Sequence, residues 1–242
     1  MAQFNDTSAE IPGTPCLICE HGGLAFCGPG PGDADEPSRL SAMLGQVNLI
    51  AHDSVFREGD PATHLYSISQ GAVKLYKLLS DGRRQVTAFL FAGDFFGLAL
   101  DGGYAYTAET MTPALLCRFP RRKLEALFAE VPRLERRLLG LAIDDLAAAH
   151  EQMLLLGRKT AREKVASFLV MLDRRAARRG HHGPAVALPM SRSDIADYLG
   201  LTIETVSRTL TQFRRDGLIG LPDLGHAVLR EADRLRQIAD GG

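Results

Sequence analysis

The chain has 242 residues, of which 45% are hydrophobic and 24% are charged, so it is long enough for two domains with separate cores and unlike a disordered chain. Its net charge of -1 hides an asymmetry between the two parts of the chain. From Arg158 onward there are 15 Lys and Arg and 10 Asp and Glu, whereas the residues before Arg158 include 13 Lys and Arg and 19 Asp and Glu. The start of the chain has no basic region followed by an apolar run, and no segment is apolar enough to span a membrane, which predicts a cytoplasmic protein with no membrane partner.

Residues 1–39 are predicted to form a flexible arm that carries cysteines. Cys16, Cys19 and Cys27 have the spacing Cys-x2-Cys-x7-Cys, and residues 20–33 are so rich in Gly and Pro that they can wrap an inorganic core without a fold of their own. Closely spaced thiolates joined by one remote thiolate are what a 4Fe-4S cluster requires, and Cys117 is the remaining cysteine. We therefore predict that these four residues ligate such a cluster. There are two alternatives. The same thiolates could hold a zinc ion, or the thiols could be unligated, with Cys117 buried.

Residues 40–130 are predicted to form an antiparallel barrel followed by a short helix. Polar and apolar residues alternate in segments 65–69 and 73–78, and Gly59, Gly71, Gly82 and Gly93 recur at intervals of 12, 11 and 11 residues. Turn signals at such intervals are typical of a sandwich or jelly roll, with residues 80–82 as one hairpin turn. The short helix is predicted over residues 121–130.

Residues 131–157 are predicted to form a long helix that pairs with its copy in a homodimer. Pro132 opens the helix, and its small and apolar residues recur at spacings of three and four, as in a heptad seam. The residues of this seam are Leu139, Ala142, Leu146, Ala149, Met153 and Leu156. Packing of the same face on the chain's own barrel is the alternative.

Residues 158–242 are predicted to form a winged helix-turn-helix. Two short helices are joined by a turn at Gly200, and Thr202 can cap the second helix, which buries Val206, Leu210 and Phe213. Two short apolar runs within 218–229 flank a turn and are interpreted as the wing. The cationic balance of this part suits contact with a phosphate backbone, which predicts double-stranded DNA as its partner.

The outward face of the second helix has the chemistry to read bases. Glu204, Ser207 and Arg208 are spaced i, i+3 and i+4, so they share one face near the start of the helix. Arg can bond guanine O6 and N7, a carboxylate can accept from cytosine N4, and Ser can bond either kind of base edge. A solvated helix face with an ion pair between Glu204 and Arg208 is the alternative.

The order of these parts resembles the superfamily of the cyclic-AMP receptor protein and the fumarate and nitrate reduction regulator (CRP/FNR), from about residue 40 to the C-terminus. The resemblance implies an α+β fold made of a cyclic-nucleotide-binding-like jelly roll, a dimerisation helix and a winged helix-turn-helix. Glu204-x-x-Ser207-Arg208 matches the base-reading set of the FNR branch, which implies a palindrome of the type TTGAT-N4-ATCAA. That branch also holds its cluster with three N-terminal cysteines and one at the position of Cys117.

The barrel lacks the charge that a cyclic nucleotide needs. The stretch matching the phosphate-binding segment of the cyclic-AMP branch comprises residues 93–97 and 106–108, and no Lys or Arg occurs from Gln85 to Cys117. A buried phosphate without a cationic partner is costly, so we expect no cyclic nucleotide here.

The resemblance implies an activator of transcription in low oxygen. Loop 81–84 occupies the position where the family contacts RNA polymerase, although a plain hairpin tip is an equal interpretation. Ala149 stands where the family has an acidic residue that opposes dimerisation, and Asp145 is the substitute that we consider for that role. A regulator without a cluster and an iron-sulfur electron carrier are the alternative functions. An enzyme is not expected, since the sequence has no recognised nucleophile and base pair and no phosphate-binding glycine loop.

Overall fold

The computed structural model describes residues 36–99 and 102–242, which pack as two compact units. The first unit comprises the described residues up to Lys77 together with Ala88–Ala142, and the second comprises Leu78–Thr87 together with Ile143–Gly242. Cys16, Cys19 and Cys27 lie outside the described residues. The first described helix begins at Glu36, within the segment predicted to be a flexible arm.

The first unit is built on two antiparallel sheets of four strands, with orders β1-β8-β3-β6 and β2-β7-β4-β5. Every strand pairing that is described within these two sheets is antiparallel, which confirms the predicted barrel. The elements are α1 Glu36–Met43, β1 Gly45–Leu49, β2 Ser54–Phe56, β3 His64–Gln70, β4 Ala72–Leu78, β5 Arg84–Phe91, β6 Phe95–Phe96, β7 Thr107–Thr110, β8 Ala114–Pro120, α2 Arg121–Glu130 and α3 Pro132–Arg158. The short helix α2 has its predicted bounds, and Pro132 opens the long helix as predicted.

Both faces of the sheet β1-β8-β3-β6 are buried. Successive side chains of a strand point to opposite faces, so each strand contributes to two cores. Its inner face contributes Tyr66, Ile68, Phe96 and Leu116 to the core of the barrel. The opposite face, which we call the Cys117 face, consists of Leu65, Ser67, Phe95, Cys117 and Phe119. Four of these residues form a second apolar core with α1, α2 and the start of α3, through residues that include Leu40, Leu124, Leu127 and Leu134.

The second unit is a helical domain with a small sheet of order β10-β11-β9. Its elements after α3 are α4 Ala161–Arg178, β9 Ala185–Ala187, α5 Arg192–Leu199, α6 Ile203–Arg215, β10 Ile219–Gly220, β11 His226–Leu229 and α7 Ala232–Ala239. Helix α4 begins with a capping box. The Thr160 side chain accepts a hydrogen bond from the Glu163 backbone N–H, and the Glu163 side chain accepts one from the Thr160 backbone N–H. Strands β10 and β11 confirm the predicted wing.

Within the described residues, no helix has both the length and the apolar composition that a membrane span requires.

Candidate DNA-binding interface and cysteine site

Helices α5 and α6 form the predicted helix-turn-helix. Gly200 ends α5 with a φ of 61°, a left-handed conformation that favours glycine over residues with a Cβ. Thr202 then caps α6, because its Oγ1 accepts a hydrogen bond from the backbone N–H of Thr205 at 3.2 Å. The turn and the cap together determine where the first turn of α6 begins.

The inner face of α6 holds the helix in place. Val206, Leu210 and Phe213 are buried, as predicted, and α5 contributes Ile195, Ala196 and Leu199 to the core of the second unit. The guanidinium carbon of Arg162 lies 5.2 Å from the centroid of the Phe213 ring, in a cation–π contact. The buried face is therefore separate from the face predicted to read bases.

The outward face of α6 presents Glu204, Ser207 and Arg208, all of which are exposed. Within the described residues, no ion pair joins Glu204 to Arg208, so the guanidinium is available to another partner. The pKa of Glu204 is lowered, because its carboxylate accepts hydrogen bonds from its own backbone N–H and from the Thr202 side chain. At neutral pH the face thus offers one hydrogen-bond acceptor carrying negative charge and one donor carrying positive charge.

Two further residues, at the starts of α6 and α5, are not among those predicted from the sequence. Ile203, the first residue of α6, leaves 46% of its surface exposed. Arg192, the first residue of α5, is half-buried, and its Nη1 is buried without a hydrogen-bond partner among the described residues. Burial lowers the pKa of Arg192. Neither belongs to a helical spacing pattern, so the periodicity of the sequence gave no signal for them.

Residues Leu78–Thr87, at the tip of the β4–β5 hairpin, belong to the second unit and are tied to α5 by charged and polar side chains. One guanidinium nitrogen of Arg84 lies 2.8 Å from Asp194 Oδ1 and 2.8 Å from Asp197 Oδ2. Gln85 Nε2 donates to the backbone oxygen of Asp197 at 2.7 Å. The Asp194 carboxylate also accepts from the Ser191 backbone and hydroxyl in the capping box that begins α5. Arg84 thus has a structural role that the sequence analysis did not foresee.

The tip of this hairpin remains exposed. Gly82 has a φ of 85° at the predicted turn, and Arg83 pairs with Asp81 at 2.7 Å. Asp81 and Arg83 are therefore the charged residues that loop 81–84 offers to a partner, whereas Arg84 points to α5.

Helix α3 leaves much of its predicted seam exposed. Leu139, Leu146 and Met153 are 59%, 57% and 65% exposed, and Ala149 is exposed as well. Ala142 and Leu156 are half-buried. Two further apolar residues that the heptad spacing had not included, Ile143 and Leu154, are 57% and 64% exposed, which widens the apolar face.

The two ends of α3 also contribute to the cores of their own units. At the start of the helix, Leu134 is fully buried, and Leu138 and Leu141 pack against the same core of the first unit. At its end, Leu156 Cδ2 lies 3.3 Å from where a Cβ on Gly200 would be, so Leu156 packs on the turn between α5 and α6. The exposed part of the seam lies between these two anchors.

Cys117 is fully buried in the middle of β8. It lies opposite Gln46 of β1 on one side and Ser67 of β3 on the other. It shares an apolar core with Leu40 of α1, and α1 begins nine residues after Cys27. An extended chain of that length spans up to about 30 Å, so the sequence permits the arm cysteines to reach the Cys117 face.

The interior of the barrel is filled with aromatic rings rather than with polar groups. The rings of Phe56 and Tyr104 stack at 3.6 Å, and those of Tyr66 and Phe96 stack at 5.4 Å. Tyr104 donates its hydroxyl to the backbone oxygen of His64 at 2.7 Å. Burial raises the pKa of the Tyr66 and Tyr104 phenols, so both rings stay neutral.

Comparison with known proteins agrees with this architecture. Residues 46–131 match the family described as cyclic nucleotide-binding domain, and residues 163–238 match the Crp-like helix-turn-helix domain. The chain is 42% identical over 200 residues to the nitrogen fixation regulation protein FixK of Bradyrhizobium diazoefficiens. The aligned residues cover 83% of this chain and 84% of that protein. It is 38% identical over 218 residues to the transcriptional activator protein FnrL of Cereibacter sphaeroides, with coverage of 87% and 88%.

A solved structure supports the same assignment. The structure of FixK2 from Bradyrhizobium japonicum matches with a TM-score of 0.76 at 40% identity, and the match covers 81% of this chain and 96% of that one. These relatives are regulators of transcription rather than enzymes, as the sequence predicted. The chain therefore belongs to the CRP/FNR family of DNA-binding transcription regulators, in the FNR branch together with FixK and FnrL.

Proposed function

We propose that this regulator responds to oxygen through a 4Fe-4S cluster held by Cys16, Cys19, Cys27 and Cys117, and controls genes of anaerobic or microaerobic metabolism. The observation that carries this proposal is the position of Cys117. A thiol buried in an apolar core lies on the sheet face that is covered by α1, the helix that directly follows the cysteine-bearing arm.

The chemistry of the four cysteines fits such a cluster. Thiolates are the usual protein ligands of iron-sulfur clusters, and burial in an apolar core favours the neutral thiol unless a metal stabilises the negative charge. The cluster, when bound, supplies an oxygen-labile link between the arm and the wall of the barrel. Cys117 would anchor that link to β8, while Cys16, Cys19 and Cys27 would hold the arm to it. A zinc ion held by the same thiolates would also join the arm to the barrel but would not respond to oxygen by changing its redox state.

The exposed face of α6 supports recognition of a TTGAT-N4-ATCAA palindrome. Arg208 would donate to guanine O6 and N7, and Glu204, whose lowered pKa keeps it ionised, would accept from cytosine N4. Ser207 would bond a neighbouring base edge, and Ile203 would contact a thymine methyl group.

A homodimer would place two such helices on the two halves of the palindrome. The exposed apolar face of α3 supports this arrangement, because Leu139, Ile143, Leu146 and Met153 would be removed from water by a second copy. Asp145 and Ala149 are both exposed on this helix, so Asp145 is the residue that would oppose pairing in the absence of a signal.

The barrel supports a regulator that binds no cyclic nucleotide. Neutral aromatic rings occupy its interior, and the segment 85–117 offers no cation to a phosphate. Calorimetry with cyclic AMP should therefore give no binding heat, and tight binding would contradict this part of the proposal. The exposed pair of Asp81 and Arg83 at the hairpin tip is the contact that we propose for RNA polymerase.

Anaerobic purification tests the proposal directly. The protein should be coloured, with four iron and four sulfide per chain, and should bind the palindrome in a gel shift more tightly without oxygen than after exposure to air. A scrambled duplex of the same length is the control. A colourless protein that still binds the palindrome would indicate a regulator without a cluster. An iron-bearing protein that does not bind it would indicate an electron carrier.

A further inference from the structure

The hydroxyl of Ser67 is buried on the Cys117 face. The residue is fully buried in β3, and its Oγ makes no hydrogen bond within the part of the chain that the structure describes. Leaving a buried hydroxyl unpaired is unfavourable, because the group loses its bonds to water and gains nothing in return. An unpaired polar atom in a native core therefore calls for a ligand or a functional explanation.

The neighbour of Ser67 across the sheet is Cys117. The antiparallel register of β3 and β8 places the two residues directly opposite each other. Opposite residues share one face of a sheet, with Cβ atoms about 4.5–5.5 Å apart. The third residue in this row is Phe95 of β6, which also pairs with Ser67 and offers only an apolar ring. In the row from β8 to β6, Cys117 is thus the one neighbour whose side chain has an atom able to accept a hydrogen bond from the hydroxyl.

The surroundings of the pair make a hydrogen bond between them depend on the state of the sulfur. Leu65 and Phe119 flank the pair on the Cys117 face, and Leu40 belongs to the same buried core, so water is excluded. A neutral thiol sulfur is a weak acceptor, whereas a sulfur that carries negative charge as a ligand is a much stronger one. The hydroxyl therefore has little to gain from the thiol and much to gain from the ligated sulfur.

We propose that Ser67 is a positioning residue that donates a hydrogen bond to the Cys117 sulfur once this sulfur ligates the cluster. The inference rests on the proposed function, since it requires Cys117 to be a ligand. A hydrogen bond at a ligand sulfur stabilises negative charge there, and such bonds help to set the reduction potential of an iron-sulfur cluster. Ser67 would therefore make the cluster harder to oxidise and would set the oxygen level at which it is lost.

The test compares three variants of the full chain after anaerobic reconstitution with iron and sulfide. Ser67→Ala removes the hydroxyl, and Ser67→Thr retains it. Ser69→Ala removes a hydroxyl that is equally buried and lies two residues further along β3. The readouts are the iron content, the reduction potential, the half-time of loss of visible absorbance in air, and the thermal midpoint of the cluster-free protein.

The proposal predicts that Ser67→Ala is harmful with the cluster bound and harmless without it. With the cluster, Ser67→Ala should lower the reduction potential and shorten the half-time in air on the order of tenfold, the usual effect of losing a hydrogen bond to a charged group. Ser67→Thr and Ser69→Ala should stay close to the wild-type half-time. Without the cluster, Ser67→Ala should unfold at no lower temperature than the wild type, because its hydroxyl makes no hydrogen bond to any residue that the structure describes.

Two outcomes separate this inference from the proposed function. If the wild type and all variants hold the cluster and Ser67→Ala loses it at the wild-type rate, the role of Ser67 is refuted while the cluster stands. If the wild type itself holds no iron, the proposed cluster is refuted, and the role of Ser67 is refuted with it. A shift of the iron–sulfur stretching frequencies between H2O and D2O that is present in the wild type and absent in Ser67→Ala would support the bond independently of any change in stability.

Discussion

The surface of α6 and the Cys117 face illustrate two ways of placing functional residues in one chain. On α6, the proposed base-reading residues are exposed on one side, and the residues that hold the helix in place are buried on the other. On the Cys117 face, the proposed ligand is itself part of a buried core. Function and stability should therefore be separable on α6 and inseparable at Cys117. Substitutions at Cys117, Arg208 and Thr202 test this contrast, and those at Asp194 and Leu146 test the contacts that support it.

The largest effect is expected from Cys117→Ala. If the proposed cluster is present, the iron content after anaerobic reconstitution should fall to near zero, because one of the four proposed ligands is lost. The cluster-free protein should also lose about 1 kcal/mol of stability, since the residue is buried in a packed core. Iron analysis and thermal unfolding measure the two effects. An unchanged iron content would show that Cys117 is a core residue only.

Asp194→Ala should destabilise the second unit without touching the reading face. The carboxylate is 6% exposed, accepts in the capping box of α5 and pairs with Arg84, which would be left without its more buried partner. Because Arg84 keeps its pair with Asp197, the loss is that of hydrogen bonds to a charged group, about 1.5–3 kcal/mol, measurable by denaturant unfolding. Asp197→Ala is the matched control, because Asp197 also pairs with Arg84 but is 27% exposed, so a smaller loss is expected. Equal losses would mean that the burial of Asp194 is unimportant.

Leu146→Asp should weaken dimerisation by about 100-fold or more, because a charge placed in a buried apolar seam must be desolvated. The same substitution at Leu224, which is 85% exposed in the loop between β10 and β11, is the control for the added charge. Sedimentation equilibrium measures both. If the two variants dimerise equally well, the exposed face of α3 is not the dimer interface.

Arg208→Ala should lower the affinity for the palindrome by roughly 10–100-fold, the usual contribution of a bidentate contact to guanine. Its thermal stability should match the wild type, because the side chain is exposed and forms no ion pair with Glu204 in the described structure. Arg215→Ala removes the same charge from the last turn of α6 and should weaken binding to all duplexes alike. Titrations against the palindrome and a scrambled duplex distinguish these results.

The smallest effect is expected from Thr202→Ala, which removes the N-cap of α6. The loss of the bond from the Thr205 backbone should cost about 1 kcal/mol of stability. Thr211→Ala is a suitable control, because its hydroxyl bonds a backbone oxygen within the helix rather than an end group. Denaturant unfolding of both proteins measures the difference, and equal losses would argue against a capping role.

Local features of this protein were predictable from its residues. The bounds of α2, the Pro132 start of α3, the Gly200 turn and the Thr202 cap all followed from spacing and from residues with strong conformational preferences. Such features depend on interactions between residues close in the chain, so a single segment contains all the information needed. The proposed base-reading face of α6 is of the same kind, because i, i+3 and i+4 spacing specifies a helix face directly.

Features that join distant segments were decided by the tertiary structure. Arg84 meets Asp194 across 110 residues, and Ser67 lies opposite Cys117 although 50 residues separate them in the chain. Neither pairing leaves a mark in local spacing, because strand register and the packing of a hairpin on a helix arise only when the whole unit folds. The sequence by itself thus determined the residues proposed to bind DNA bases and iron, whereas the tertiary structure decided which side chains surround Cys117 and which carboxylates are held by Arg84.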